Sequence, residues 1–139
     1  MGVVRDGDGR VLLIHQADED QRWMPPGGHL EPGESPAQAV ERELKEELGI
    51  QVEAGPLIGL YTLRLPEELG LRFVFQCTIV SGEPEIRAPD EVAELGWFDP
   101  DDLPHPLSYS APFAVADAVA GRAGVSREIG PGAATIPKP

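Results

Sequence analysis

Thiols, aromatic rings, positive charge and long apolar runs are all scarce in this chain. One cysteine, Cys77, excludes an internal disulfide framework and any zinc site built on paired thiolates. Its place inside an apolar run reads as a buried strand position. No apolar stretch approaches 18 residues, and no basic region leads into an apolar one at the start, so neither membrane insertion nor secretion is indicated and a cytoplasmic address is expected. Bases number 11 against 24 acids, a net charge of −13. Such a surface repels nucleic-acid backbones and acidic membranes, so polymeric nucleic acid is not an expected partner.

Gly and Pro, at 16 and 15 residues, are abundant, and loops therefore carry weight. The 139 residues suit one domain with a sizeable core. The acids cluster: residues 31–47 carry a net −4 and residues 83–102 a net −7. Clusters of this kind are usually solvated faces, so their spacing must decide.

Val3-Val4, the turn residues Arg5 to Arg10 and Val11 to Ile14 read as a hairpin. Further strands are expected at Leu57–Leu65, Leu71–Val80 and Glu94–Phe98. A helix is expected between Ser35 and Gly49: Ser35 is an N-cap, Pro36 suits the first position, Gln38 completes a capping box and Gly49 is a left-handed stop. Ala37, Val40, Leu44 and Leu48 form its apolar stripe. A second helix is expected from near Ser110 to Ala120, packing through Ala114, Val115, Ala118 and Val119. The domain is taken as residues 1–123, with 124–139 a loosely held tail.

On the first helix Glu43, Glu46 and Glu47 fall within an arc of roughly 100°. Their mutual repulsion costs a few tenths of a kcal/mol per pair, a penalty removed either by a divalent cation or by neighbouring Arg42 and Lys45. Before the helix, Trp23-Met24-Pro25-Pro26-Gly27-Gly28 and Pro32-Gly33 alternate rigid and permissive residues, a loop able to lend main-chain oxygens. Loop and helix together spell Gly28, five residues, Glu34, seven residues, Arg42-Glu43-Leu44, one residue, Glu46-Glu47, one residue, Gly49-Ile50. That pattern resembles the box of the Nudix hydrolase family, complete at every defining position. The wider resemblance runs from about Val3 to Ala120 and takes in Trp97-Phe98 and Asp101-Asp102-Leu103-Pro104. Two departures are Pro25, where the family usually has Leu or Phe, and a start that falls almost inside the first strand.

The resemblance implies an α/β fold, an α/β/α sandwich around a mixed β-sheet. It implies Mg²⁺- or Mn²⁺-dependent pyrophosphatase activity on a small nucleotide: a nucleoside diphosphate linked to another moiety, such as ADP-ribose or a nucleotide sugar, or a nucleoside triphosphate. By the same resemblance Glu43, Glu46 and Glu47 are metal ligands, the Gly28 carbonyl a further ligand, and Glu34 with Arg42 a brace that orients the helix. The general base is a box glutamate or an acid of a later loop; Glu91 is the candidate, as base or fourth ligand, with Glu94 as alternative. Arg64 and Arg72, flanking Pro66 to Gly70, are candidate substrate contacts. Pro66 stands 16 residues beyond Ile50, a placement resembling that in ADP-ribose hydrolases. His15, His29 and His105 are assigned to no site. The aromatic residues of strands and helices read as core before base-stacking platforms. Family members are often homodimers. The alternative function is a module that senses a nucleotide without cleaving it, and its mark would be a broken box.

Overall fold

The computed structural model describes residues 1–18, 20–66 and 68–130. In chain order the elements are β1 (Gly2–Val4), β2 (Val11–Gln16), β3 (Trp23–Met24), α1 (Pro36–Leu48), β4 (Gln51–Leu65), β5 (Glu68–Ser81), β6 (Val92–Phe98), α2 (Ala111–Val119) and β7 (Val125–Ile129). Two sheets result: a mixed four-stranded one in the order β1-β5-β4-β7 and a three-stranded one in the order β3-β2-β6. In the first, β1 joins β5 and β7 joins β4 in parallel, while β4 and β5 pair antiparallel.

Alternation along the short strands sorts side chains to two cores. Val3, Val11 and Leu13 enter one with Phe113, Ala114, Val115 and Ala118 of α2. Their neighbours Val4, Leu12 and Ile14 enter the other with Val40, Leu44 and Leu48 of α1. The strands therefore form a layer between two helices, the expected α/β sandwich with a mixed sheet.

Helix α1 ends where its local chemistry dictates. The Ser35 Oγ accepts from the Gln38 N–H at 3.2 Å, the Gln38 side chain accepts from the Ser35 N–H at 2.9 Å, and Gly49 closes the helix at φ 69°. The buried stripe holds Val40, Leu44 and Leu48 as expected, with Ala39 fully packed and Ala37 at its margin.

Three expectations are corrected. The opening hairpin does not form: Arg5 and Val11 share a single bridge, and the two strands then part to different sheets. Val4 finds its partner at Cys77, far along the chain, where a buried parallel ladder outweighs the local turn. The stretch taken as a loose tail from 124 begins with an ordered strand, since residues 125–129 pair with Gly59–Leu63 and Ile129 is buried; residues 131–139 lie outside the described ones. In α2, Val119 is exposed, and Ala111 and Phe113 do the packing expected of it.

Candidate active site

Helix α1 projects its acids at two levels of burial. Glu47 is 5% exposed although charged residues are rarely buried without partners. Single carboxylate oxygens of Glu43, Glu47 and Glu91 all lie within 4.8 Å of one another. One Glu47 oxygen, Oε2, is buried and lacks a hydrogen-bond partner among the described residues. Burial first, and the negative charge of Glu43 next, push the Glu47 carboxyl up to about 8, with Glu91 and Glu46 adding to the effect.

This arrangement suits a hard divalent cation. The donor set is all oxygen, an orphaned buried carboxylate atom has no other use in view, and a bound cation would relieve the repulsion that raises Glu47. Gly28 lies against the cluster so closely that a Cβ there would overlap the Glu43 carboxylate. Only glycine leaves that space open.

Arg42 organises the loop side of the site. Its Nε donates to Glu34 Oε2 at 2.6 Å and its Nη2 to Glu34 Oε1 at 3.0 Å, a two-pronged pair. The same guanidinium donates to the His29 carbonyl at 2.9 Å, to Glu43 at 2.9 Å and to Glu46 at 3.1 Å. Its hydrogen bonds hold the Glu34 carboxyl below its ordinary range. Glu34 in turn accepts from the Glu31 N–H at 2.9 Å and donates its own N–H to the Glu31 carbonyl at 3.1 Å. These contacts tie the His29–Glu34 stretch of the loop to the helix.

Two cavities adjoin the cluster. One of about 300 Å³ is lined by Gln16, Asp18, Gly28, Glu43, Glu47, Asp90 and Glu91 among others. The other, about 460 Å³, is walled by Met24, Leu30, Leu71, Phe73 and Arg72. They share Gln16, Met24, Gly27, Gly28 and His29, so an acidic chamber opens beside a largely apolar one.

Of the residues singled out from sequence, the structure brings together Glu43, Glu47, Glu91 and Gly28, with Glu34 and Arg42 beside them. Glu46 stands apart from the three-carboxylate cluster, 60% exposed and turned to Arg42, because it occupies the outer edge of the helix face. Glu94 is also elsewhere, 3.4 Å from His15 Nδ1. Arg72 lines the larger cavity, whereas Arg64 lies outside both linings, exposed and paired with Glu128 at 3.1 Å. Asp18, which sequence reasoning did not single out, lines the acidic chamber together with Asp90, the neighbour of Glu91 in the same loop. Cys77 is buried, as its apolar run led us to expect, and burial pushes its thiol up to about 12, so it supplies no thiolate nucleophile.

A capped helix that lines up acids under a glycine loop, packed on one face of the strands of an α/β sandwich, defines the Nudix class of fold. The chain belongs to that family: the NUDIX domain model matches residues 1–117. A "MutT-like protein" of Streptomyces ambofaciens is 38% identical over 120 residues, covering 86% of this chain and 75% of that protein. An "ADP-ribose pyrophosphatase" of Methanocaldococcus jannaschii is 34% identical over 107 residues, 74% of this chain and 62% of its own length. The crystal structure of a MutT NUDIX hydrolase from Burkholderia pseudomallei superposes with a TM-score of 0.73 at 34% identity, covering 83% of this chain and 96% of that one. Among the described residues no helix is long and apolar enough to cross a membrane.

Proposed function

We propose that this Nudix hydrolase cleaves the pyrophosphate bond of a small nucleotide, a nucleoside diphosphate linked to a second moiety, with Mg²⁺ or Mn²⁺ as cofactor. The observation that carries the reading is the convergence of Glu43, Glu47 and Glu91 within 4.8 Å, with a buried Glu47 oxygen unpartnered among the described residues. The pyrophosphatase among the relatives supports the reaction class.

In this reading Glu43, Glu47, Glu91 and the Gly28 carbonyl would hold the cation, and Glu46, paired with Arg42, would stand outside the ligand set. A divalent cation held there would neutralise phosphate charge and make a water acidic enough to lose a proton near neutral pH. Hydrolysis would join a water oxygen to one phosphorus as the bridging P–O bond breaks, its electron pair leaving with the departing phosphate. A carboxylate of the acidic chamber takes the proton and passes it to solvent; Glu91, the most exposed of the three acids, fills that role where it is not itself a ligand. Arg42 and Glu34 keep the loop and helix in register while charge moves.

The rest of the substrate occupies the larger cavity, where Phe73, Leu71 and Met24 offer apolar surface and Arg72 a cation for phosphate or ribose oxygens. A dominant negative charge elsewhere on the surface does not oppose such a ligand, because the cation mediates contact with phosphate. The placement of Pro66 favours ADP-ribose as the first substrate to try.

Hydrolysis of ADP-ribose, nucleotide sugars, dinucleoside polyphosphates and nucleoside triphosphates with Mg²⁺, read by chromatography of the products, tests the proposal. Release of a nucleoside monophosphate from at least one diphosphate-linked compound is expected. Binding without turnover across the whole panel would overturn it in favour of a nucleotide-sensing module.

A further inference from the structure

The last four carbonyls of any α-helix lack partners within it. At the C-terminus of α1 the segment between β5 and β6 supplies two donors: the Glu85 N–H to the Leu48 carbonyl at 3.0 Å and the Arg87 N–H to the Glu47 carbonyl at 2.8 Å. Over the same helix end lies the Arg87 side chain. A Cβ on Gly49 would overlap its guanidinium, so the planar cation rests directly on glycine backbone. Glu85 fixes it from the other side, accepting from Nε and facing Nη2, both at 2.8 Å. A cation is favourable at this end of the helix dipole.

Four residues beyond Arg87 stands Glu91. The Ala88 carbonyl accepts from the N–H groups of Glu91 and Val92, at 3.0 and 2.8 Å, and the Glu91 carbonyl accepts from the Ala17 N–H at 3.0 Å. The backbone of Glu91 is thus pinned to the end of β2 and to a turn that itself hangs from α1. The residue whose carbonyl holds Arg87 is Glu47, whose carboxylate meets that of Glu91.

We infer that Arg87 is a positioning residue: by clamping its segment onto Gly49 and the last turn of α1, it sets where Glu91 stands relative to Glu43 and Glu47. The inference rests on reading those three acids as a divalent-cation site. The pair that Arg87 makes with Glu85 is exposed, 56% and 62%, and exposed pairs add little to global stability. Its contribution is local, in the geometry of the cluster.

Mn²⁺ titration of the metal-free full chain by calorimetry, alongside thermal unfolding without metal, tests this on wild type, Arg87→Ala, Glu91→Ala and the double variant. Partners that orient metal ligands are worth roughly ten- to a hundredfold in affinity. Arg87→Ala should weaken Mn²⁺ binding about tenfold while the unfolding midpoint of the metal-free protein stays put. In the Glu91→Ala background the same substitution should cost nothing further, because its route to the metal is gone. Equal losses with and without Glu91, or unchanged affinity in Arg87→Ala, would overturn the assignment. Should Arg87→Ala lower the midpoint, Glu85→Gln decides: it releases the guanidinium without touching Gly49, and a weaker Mn²⁺ affinity sustains the role while an unchanged one ends it. Glu43→Gln and Glu47→Gln separate the two levels. If they abolish Mn²⁺ binding and Arg87→Ala leaves it unchanged, the positioning role alone falls; if they too leave binding unchanged, the cation site falls with it.

Discussion

Without metal, Glu47 should make the fold progressively less stable as pH rises from about 5 to 8. A glutamate in the unfolded chain titrates near 4.5, whereas burial and the charge of Glu43 push Glu47 in the folded protein up to about 8. Between those values the folded protein keeps a proton that the unfolded chain has released. Stability then falls with rising pH by up to about 1.4 kcal/mol per pH unit, on the order of 4 kcal/mol across the window. Below pH 4.5 both states are protonated and above 8 both are ionised, so the penalty is absent at the acid end and complete at the alkaline end. The Met1 amine, lowered to about 6 by burial, titrates in the same window with the opposite sign, and the comparison must therefore be with Glu47→Gln, in which only the carboxylate changes. Urea unfolding of both proteins in a chelating buffer from pH 5 to 8.5 reads the difference. The Gln variant should match wild type at the acid end and exceed it at pH 8. Saturating Mg²⁺ should remove most of the wild-type deficit, since a cation that needs an ionised ligand binds better as pH rises. Parallel stability profiles for the two metal-free proteins would refute the buried, repelled state assigned to Glu47.

Three further outcomes follow from particular contacts. Asp117 is fully buried on α2 and accepts from Tyr61, from Arg122 at 2.8 Å and from Arg127 twice at 2.7 Å; burial opposes its charge, but these donors hold its carboxyl below the ordinary range. Asp117→Ala should cost about 3–5 kcal/mol in guanidinium unfolding, because it strands buried donors. Ser35→Ala removes one half of the capping box and should cost about 1 kcal/mol by the same assay. Gly28→Ala puts a methyl group where the Glu43 carboxylate stands, and calorimetry should show Mn²⁺ affinity falling by about tenfold or more with a nearly unchanged unfolding midpoint.

Features written in adjacent residues were legible before the structure. Helix α1 was readable to the residue because Ser35, Pro36, Gln38 and Gly49 act within one turn of where they stand. The apolar runs Leu57–Leu65 and Leu71–Val80 were readable as strands for the same reason, although β4 itself begins earlier, at Gln51. Pairings set at long range were not. The turn at Asp6 to Arg10 is real, with the Asp6 carboxylate accepting from the Asp8 and Arg10 N–H groups at 3.0 and 2.9 Å, yet it joins strands of different sheets. Strand β7 alternates weakly and owes its place to the waiting edge of β4.

At the site, the family pattern supplied the helix acids and the brace, but helical spacing alone could not separate Glu46 from its neighbours. Glu43 and Glu47 share the inner edge of the arc, one turn apart, and Glu46 the outer. Glu91 came into view through its place in an acidic loop ahead of Trp97, while the strap that carries it onto α1 depends on backbone contacts without a sequence signal. Asp117 did leave one: a lone acid among the apolar residues of α2, followed by Arg122 and Arg127. An acid in that setting asks for buried donors, and the two arginines are the nearest available.

The most direct test of the central claim is the rate of nucleoside monophosphate release from the best diphosphate-linked substrate, compared between wild type and Glu47→Gln at saturating Mg²⁺, both proteins checked for native folding by circular dichroism. The account predicts turnover in wild type and its loss, by at least about a hundredfold, in a variant that remains folded. Equal rates in the two proteins would contradict it.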